Sequence, residues 1–386
     1  MDSSELNVDE LLSKSTVRED LPLTVNGNFQ SGDDAQQLLC SVFGLARFFG
    51  AVFDLTGLDG ITIADDYVAA LAGVDRGYPD MKAAKPTYDE FGTGFAMAVP
   101  VLRNGEHKSH VVLNSALVRP LVDPANESYD FAVHTLAHEL AHVYDHMLRS
   151  KAMPNYYGSQ TWDLRDGVLG QFAMAAWDEY AASRLSASWG TPDYCSVYEE
   201  SLLSMLGSLL ARSDAAKRAF AQERNVERTM TELRNVFETF FVRSSYLIGH
   251  IDGLEKTADD EAPKLTAALS ETTWLNALWI RYVAILRSLF ERMDAWEGVQ
   301  EYQPLKDLGE ELLLRGGLGF VKLPTGDISS DSIQPTRCDS RHQDGEQRRN
   351  QRQPDCRGGG PVSMQKAAVR PAQNSVGYGE HYWNPL

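Results

Sequence analysis

The residues with the clearest chemical potential are two histidines and a glutamate in the run His138-Glu139-Leu140-Ala141-His142. The two histidines are four positions apart, so on an α-helix their side chains project from one face about one turn apart. Imidazoles placed in this way can bind one tetrahedral zinc ion at Zn–N distances of roughly 2.0–2.1 Å. Glu139 lies about 100° further around the helix, where it can activate a water molecule without binding the ion. We therefore expect a zinc-dependent hydrolytic centre, with His138 and His142 as ligands and Glu139 as the general base.

A catalytic zinc site usually has three protein ligands and keeps a fourth position for water. We expect the third ligand to be Glu179, on the next predicted helix. The residues that share its helical face are apolar: Leu164, Val168, Phe172, Ala175 and Ala182. A carboxylate in such a stripe has to be paired or bound to a metal, because an isolated buried charge is costly. The alternative is an ion pair with Arg184. The weaker candidate ligands are Asp163, Asp166, Asp178 and His146.

The motif from His138 to His142 on one helix, with Glu179 on a following helix, resembles the gluzincin metallopeptidases, including their minimal members. The resemblance covers roughly residues 60–190. It implies a zincin-like core, a Zn²⁺ cofactor and a peptide or protein substrate. It also implies that an edge strand before the active-site helix pairs with extended substrate. Larger gluzincins often have an aspartate four residues after the glutamate ligand, where this chain has Ser183. The glycine and third histidine typical of metzincins do not follow His142.

Peptide hydrolysis needs a further group that stabilises the oxyanion of the transition state. The candidates in this chain are Tyr156, Tyr157, Tyr180 and Arg184. Two residues near the histidine motif, Asp145 and His146, are candidates for orienting the metal ligands.

The elements that must position these residues follow from periodicity and turn residues. We expect a helix that begins at Asp33 or Asp34 and ends near Phe53, and a short strand over 61–64. A β-hairpin is predicted over 95–118, with its turn at Asn104-Gly105; it is well placed for the role of the substrate-binding edge. The active-site helix is predicted over about 129–148, and the helix that carries Glu179 over about 163–187.

The rest of the chain is predicted from composition. Long helices are expected over roughly 192–315, and one of them carries an apolar stripe that indicates core packing: Trp274, Leu275, Leu278, Trp279, Tyr282, Leu286 and Phe290. Between Leu323 and Val376 there is no Phe, Trp or Tyr, so this segment cannot bury enough apolar area to offset its ordering entropy.

These patterns predict an α+β protein in four parts. Residues 1–30 form a flexible N-terminus. Residues 31–190 form a zincin-like metallopeptidase core, in which a small sheet with a β-hairpin packs on the active-site helix. Residues 191–322 form a mostly helical domain, and residues 323–386 form a disordered tail.

Composition restricts the partners and the compartment. The net charge of -18 argues against binding to nucleic acid, because the phosphates would be repelled. The N-terminus lacks the basic and apolar blocks of a signal peptide. The most apolar stretch, 38–55, contains Arg47 and is too interrupted to span a membrane. The four cysteines are far apart and suggest neither a disulfide framework nor a thiolate zinc site. We expect a cytoplasmic protein with no membrane partner; the sequence defines no oligomeric state.

Two other functions are compatible with the same residues. The first is a regulatory protease that cleaves one partner, which the helical C-terminal region recognises. The second is a partner-binding helical protein whose His-Glu-x-x-His motif is not catalytic.

Overall fold

A computed structural model describes residues 8–29, 31–79, 81–86, 88–89, 92–154, 164–189, 193–320 and 333–335. Over these residues the protein is a mixed α+β fold, mostly helical, with a four-stranded sheet. The predicted fold class is confirmed at this level. Three residues named above, Tyr156, Tyr157 and Asp163, lie outside the described residues, as does the predicted disordered tail except for a short strand at 333–335.

The first part of the chain alternates short helices with strands. The helices are α1 Val8–Ser13, α2 Gly32–Phe49, α3 Tyr67–Ala72 and α4 Ser115–Val118. The strands are β1 Leu23–Asn26, β2 Leu58–Ala64, β3 Tyr88–Asp89, β4 Gly92–Thr93, β5 Ala96–Arg103 and β6 Glu106–Asn114.

The second part is helical. Its helices are α5 Tyr129–Ala152, α6 Leu164–Ser186, α7 Asp193–Glu223, α8 Val226–Gly253, α9 Ala258–Glu261, α10 Pro263–Ser270, α11 Thr273–Phe290 and α12 Gln303–Arg315. Two short strands follow and pair with each other: β7 Leu318–Phe320 and β8 Ile333–Pro335. Within the described ranges, no helix has the combination of length and apolar character that crossing a bilayer requires.

The main sheet has the strand order β1-β2-β6-β5. The first three strands are parallel, and β5 runs antiparallel to β6 at one edge. The predicted hairpin is confirmed: its two-residue turn has positive φ at both Asn104 (53°) and Gly105 (84°), as a tight hairpin turn requires. β6 ends at Asn114, short of the predicted end at residue 118, because the Asn114 side chain caps α4.

Part of the predicted flexible N-terminus is ordered. Val17 and Leu21 are buried, and β1 pairs with β2 from Leu23↔Ile61 to Asn26↔Ala64. The prediction of a flexible segment over 1–30 is therefore wrong for these residues. The sequence signal is weak because β1 alternates between half-buried and exposed side chains, so the strand is held mainly by backbone pairing.

The helices near the site begin and end close to where the sequence indicated. α2 starts at Gly32, one or two residues earlier than expected, because Ser31 and Asp34 form a reciprocal capping box. It also ends at Phe49, short of Phe53. The active-site helix α5 extends to Ala152, and α6 fits the predicted span closely.

α5 lies between two apolar cores. One core joins α2, α5 and one face of the main sheet, with Ile61, Val111 and Leu140 among its buried members. The other core joins α6 with the helices that follow it, from α7 to α12. The stripe predicted on α11 belongs to this second core: Leu275, Leu278, Tyr282 and Leu286 are buried in it. α6 thus shares its core with residues 193–313, across the boundary predicted at residue 190.

Two glycines let α8 lie close against α6. A Cβ atom at Gly249 would stand 2.5 Å from the backbone oxygen of Tyr180. A Cβ atom at Gly253, one turn later, would overlap the backbone oxygen of Arg184. Because the obstructing atoms are backbone, a larger residue at either position would push the helices apart. This close packing brings the C-terminal part of α8 over α5, where Tyr246 contacts His138 and His250 contacts His134.

Candidate metal centre

The three predicted metal ligands converge. His138 Nε2 and His142 Nε2 on α5 are 3.1 Å apart. The Oε2 atom of Glu179 on α6 lies 3.3 Å from His138 Nε2 and 3.7 Å from His142 Nε2. We searched the described residues for clusters of three or more His, Cys, Asp or Glu side chains that could hold a metal ion. His138, His142 and Glu179 form such a cluster.

The triangle of ligand atoms has the dimensions of a tetrahedral site. Ligands bound tetrahedrally at roughly 2.0–2.1 Å are about 3.3 Å from one another. The three measured separations span that value, from 3.1 to 3.7 Å. A single point lies about 2.0 Å from all three atoms, within the range of zinc–nitrogen and zinc–oxygen bonds. The residues present therefore fit a divalent ion without rearrangement.

Burial makes a positive charge at this position favourable. Glu179 is 0% exposed, His142 is 1% exposed and His138 is 8% exposed. A carboxylate buried to this extent is costly unless it is neutralised. The alternative partner that the sequence allowed, Arg184, directs its Nη1 atom to the Tyr180 hydroxyl, 2.6 Å away, and lies 3.8 Å from Asp252. The local geometry thus favours metal binding over an ion pair with Arg184.

Helical periodicity explains how α5 presents its two faces. Leu136, Leu140 and Val143 pack into the core beneath the sheet, while the histidines project towards α6 and α8. Glu139 is 3% exposed, so the candidate general base is also enclosed. The two histidine ligands therefore face the packed helices α6 and α8 and not an open cleft. The ring of Tyr246 on α8 stacks on His138, with centroids 5.7 Å apart and planes 11° apart.

An aromatic and histidine cluster next to His138 was not predicted. His134, one turn before His138, packs against Tyr194 with centroids 4.6 Å apart and planes tilted by 30°, and it meets His250 edge-on at 5.7 Å. Burial, with smaller contributions from His138 and His250, lowers the pKa of His134 to about 3. His134 is therefore neutral at ordinary pH. The spacing of His134 was visible in the sequence, but Tyr194 and His250 lie on α7 and α8 and gave no local signal.

Asp145 has a structural environment that the sequence did not indicate. Trp177 Nε1 donates to Asp145 Oδ1 at 2.9 Å, and Arg149 Nη2 lies 2.7 Å from Asp145 Oδ2. The same Arg149 nitrogen lies 2.5 Å from Asp178 Oδ1 on α6. Burial raises the pKa of Asp145, although Arg149 opposes the shift. We predicted that Asp145 orients a metal ligand. Its contacts with Trp177 and Arg149 instead tie α5 to α6 beside Glu179.

Two other predicted secondary residues also have partners elsewhere. The Tyr180 hydroxyl donates to Asp252 Oδ2 at 2.8 Å and accepts from Arg184. It is thus engaged away from the ligands, and neither Tyr180 nor Arg184 is placed as an oxyanion donor. His146 Nδ1 forms a hydrogen bond of 2.9 Å with Ser109 Oγ, which links α5 to β6.

Comparison of the chain with protein-family models, curated proteins and solved structures gave no match. Its function is therefore inferred from the geometry of the site itself.

Proposed function

We propose that the chain is a zinc-dependent metallohydrolase that cleaves peptide bonds. The observation that supports this proposal most directly is the triangle of His138 Nε2, His142 Nε2 and Glu179 Oε2, whose sides of 3.1–3.7 Å fit one tetrahedral ion. The position of Glu139 in the same helix adds the base that hydrolysis requires.

The residues have distinct roles in this proposal. His138, His142 and Glu179 would hold the zinc ion, which would supply Lewis-acid polarisation when bound. Glu139 accepts the proton of the attacking water and returns it to the leaving amine. Its burial places this transfer in a medium of low dielectric constant, where charges interact more strongly than in water.

The edge of the sheet offers a place for an extended substrate. β5 is an outer strand, whereas β6, which comes directly before α4 and α5 in the chain, is internal. The Leu102 backbone N–H donates to Arg76 O on the outer side of β5, at 2.8 Å. Residues two apart in a strand direct their backbone groups to the same side. Ala96 and Ala98 therefore direct theirs outward as well, towards a peptide that would extend the sheet.

Burial of the centre favours a second candidate function. His138, Glu139, His142 and Glu179 are all less than a tenth exposed, and Tyr246 covers His138. A peptide reaches these residues only if α8 moves. This observation favours a partner-binding helical protein in which the ion stabilises the fold, or a protease that opens for one particular partner.

The variant Glu139→Gln separates catalysis from metal binding. We expect peptide hydrolysis to fall by about 10²–10⁴-fold, the contribution of general acid–base catalysis. Zinc content should stay at one ion per chain, because Glu139 is not a ligand. The measurements are cleavage of a peptide library, followed by mass spectrometry, and elemental analysis of the purified protein. Glu127→Gln, which removes an exposed carboxylate near the start of α5, is the matched control and should retain activity. Zinc binding without any peptide cleavage in the wild type would favour the second candidate function.

The variant Glu179→Ala tests the ligand set. Loss of a buried ligand from α6 should reduce zinc to less than half an equivalent after dialysis, because two histidines alone leave the site incomplete. Ser183→Ala, one turn away on the same buried helix, is the control and should keep its zinc. Full zinc content in Glu179→Ala would show that Glu179 is not a ligand.

A further inference from the structure

A second cluster of reactive side chains lies on the opposite face of the main sheet from α5. Ile61 and Ile63 of β2 point into the core beneath α5, so Thr62 between them points to the other face. A cavity of about 680 Å³ opens there, a size typical of small-molecule sites. The residues used below line it: Asn26, Asn28, Asp59, Thr62, Asp65, Asp66, Asp75, Arg103 and His110. We call this cavity the sheet cleft.

Three side chains in the sheet cleft form a hydrogen-bonded relay. Thr62 Oγ1 lies 2.8 Å from His110 Nε2, and His110 Nδ1 lies 3.2 Å from Asp59 Oδ2. A carboxylate can only accept, so His110 donates from Nδ1. In the neutral imidazole, Nε2 then accepts from the Thr62 hydroxyl. A nucleophile within reach of a base, which is in turn oriented by a third group, is the diagnostic arrangement of nucleophilic catalysis.

The backbone is shaped to make this contact. The register between β2 and β6 shifts between Leu58↔Ser109 and Gly60↔His110, which leaves Asp59 as the extra residue of a bulge. Bulges re-aim side chains and are common beside active sites. A Cβ atom at Gly60 would be 3.0 Å from His110 Cε1 and 2.9 Å from the backbone oxygen of Pro22. Glycine at position 60 therefore leaves the room that the imidazole ring occupies.

Asp59 is held as an anion. Arg103 binds it with two nitrogens, Nε at 3.1 Å from Oδ1 and Nη2 at 3.1 Å from Oδ2. Burial raises the pKa of the Asp59 carboxyl, but hydrogen bonds from His110 and Arg103 outweigh this effect and hold the pKa below its usual range. An anionic Asp59 can stabilise the imidazolium that forms when His110 accepts a proton.

We propose that Thr62, His110 and Asp59 form a second active site, independent of the metal centre, in which Thr62 Oγ1 attacks a small ester that carries a positive charge. The charge preference follows from the cleft itself. Four carboxylates line it, those of Asp59, Asp65, Asp66 and Asp75. Two guanidiniums oppose them: Arg103 in the lining, and Arg119, whose Nη2 lies 3.3 Å from Asp65 Oδ1. The remaining excess of negative charge attracts cations and repels anions. The amide side chains of Asn26 and Asn28 line the same space and are neutral donors for a carbonyl oxygen.

The reaction balances with these residues and water alone. Thr62 Oγ1 forms a bond to the ester carbonyl carbon while His110 Nε2 takes the hydroxyl proton. The bond to the alcohol oxygen breaks, and the alcohol leaves with the proton from His110. A water molecule then attacks the acyl-threonine, again giving its proton to His110. The carboxylic acid is released, and the proton returns to Thr62.

Covalent labelling tests the nucleophile directly. A fluorophosphonate probe transfers its phosphonyl group to an activated hydroxyl and releases fluoride. In the full chain we expect mass spectrometry of the digested protein to find the label on Thr62. Labelling should fall at least tenfold in Thr62→Val, which replaces the hydroxyl with a methyl group of similar shape, and should persist in Thr62→Ser. It should also persist in Glu139→Gln, so failure of the zinc proposal leaves this result intact.

Turnover tests the preferred charge. We compare the rates of hydrolysis of three 4-nitrophenyl esters, whose acyl groups carry a trimethylammonium group, no charge (acetyl) or a carboxylate. The cationic ester should be hydrolysed fastest and the carboxylated ester slowest. His110→Gln should lower the rate of ester hydrolysis at least tenfold. The circular dichroism spectrum of Thr62→Val should equal that of the wild type and show that the variant folds. Equal labelling and equal ester hydrolysis in wild type and Thr62→Val would overturn the proposal, as would a label found only on another residue.

Discussion

The metal centre and the sheet cleft use similar groups in opposite ways. Both combine a carboxylate with imidazole. In the metal centre Glu179 is fully buried, and its close polar neighbours include His138 and His142. In the sheet cleft Asp59 is partly exposed and already has Arg103 as a counter-charge. In our proposal the first arrangement would be completed by a metal ion, whereas Asp59 in the second already has a cationic partner in the protein. Burial and charge balance, rather than residue type, separate a ligand set from a proton relay.

The largest expected difference between the two regions is the loss of stability when the arginine that neutralises each region's carboxylates is replaced. Arg149 is buried between Asp145 and Asp178 beside the metal centre. Arg149→Met leaves two buried carboxylates unneutralised and should lower the free energy of unfolding by about 3–5 kcal/mol. Arg103→Met acts on a pair that is partly exposed, and should cost only about 0–1 kcal/mol. Urea unfolding monitored by circular dichroism measures both.

A double variant tests whether the unneutralised carboxylates cause the destabilisation by Arg149→Met. Asp178→Asn added to Arg149→Met removes one of the two stranded carboxylates and should recover part of the loss. Equal destabilisation by Arg149→Met and Arg103→Met would contradict the contrast between the buried and the half-exposed region.

A smaller difference should appear in the pH dependence of stability. Burial raises the pKa of Glu238 on α8 to about 7, although Arg234 opposes it. The folded state therefore favours the protonated form. This contribution is present below the unfolded pKa, about 4.3, and is lost as pH rises through 7. Glu238→Gln should remove that loss, which amounts to a few kcal/mol at about 1.4 kcal/mol per pKa unit. Unfolding at pH 5 and pH 8 measures it.

Asp59 in the sheet cleft should show the opposite sign. Its folded-state pKa is lowered, so its contribution is present above the unfolded pKa of about 3.9 and is lost as pH falls through the folded value. The difference in stability between wild type and Asp59→Asn should therefore shrink as the pH falls below about 3.9. A difference that persists unchanged at acid pH would argue against an anionic, arginine-bound Asp59.

The last expected effect concerns Tyr180. Its hydroxyl bonds to Asp252 and Arg184, so Tyr180→Phe removes two hydrogen bonds and should cost about 1–3 kcal/mol. Zinc content and peptide hydrolysis should be unchanged. A loss of hydrolysis with normal stability would return Tyr180 to the role of oxyanion donor that the sequence suggested.

Local patterns predicted much of the fold and of the metal centre. The active-site helix, the helix that carries Glu179 and the β-hairpin follow from periodicity and from Asn104-Gly105, because these signals depend on neighbours in the chain. β1 escaped prediction because its stability comes from pairing with β2. The packing of Tyr246 on His138 was not predicted, and neither was the cluster of His134 with Tyr194 and His250. In both cases the partner residues come from α7 and α8, which are distant in the chain.

By itself, the sequence determined that His138 and His142 share one helical face with Glu139 beside them, since a helix fixes the direction of side chains four positions apart. Only the tertiary structure decided that Glu179 Oε2 comes within 3.7 Å of both imidazoles, that α8 closes over them, and that Thr62, His110 and Asp59 meet across two strands. Contacts between distant segments depend on how helices and strands pack. Packing is set by the whole core and by close approaches such as that at Gly249, which no local pattern specifies.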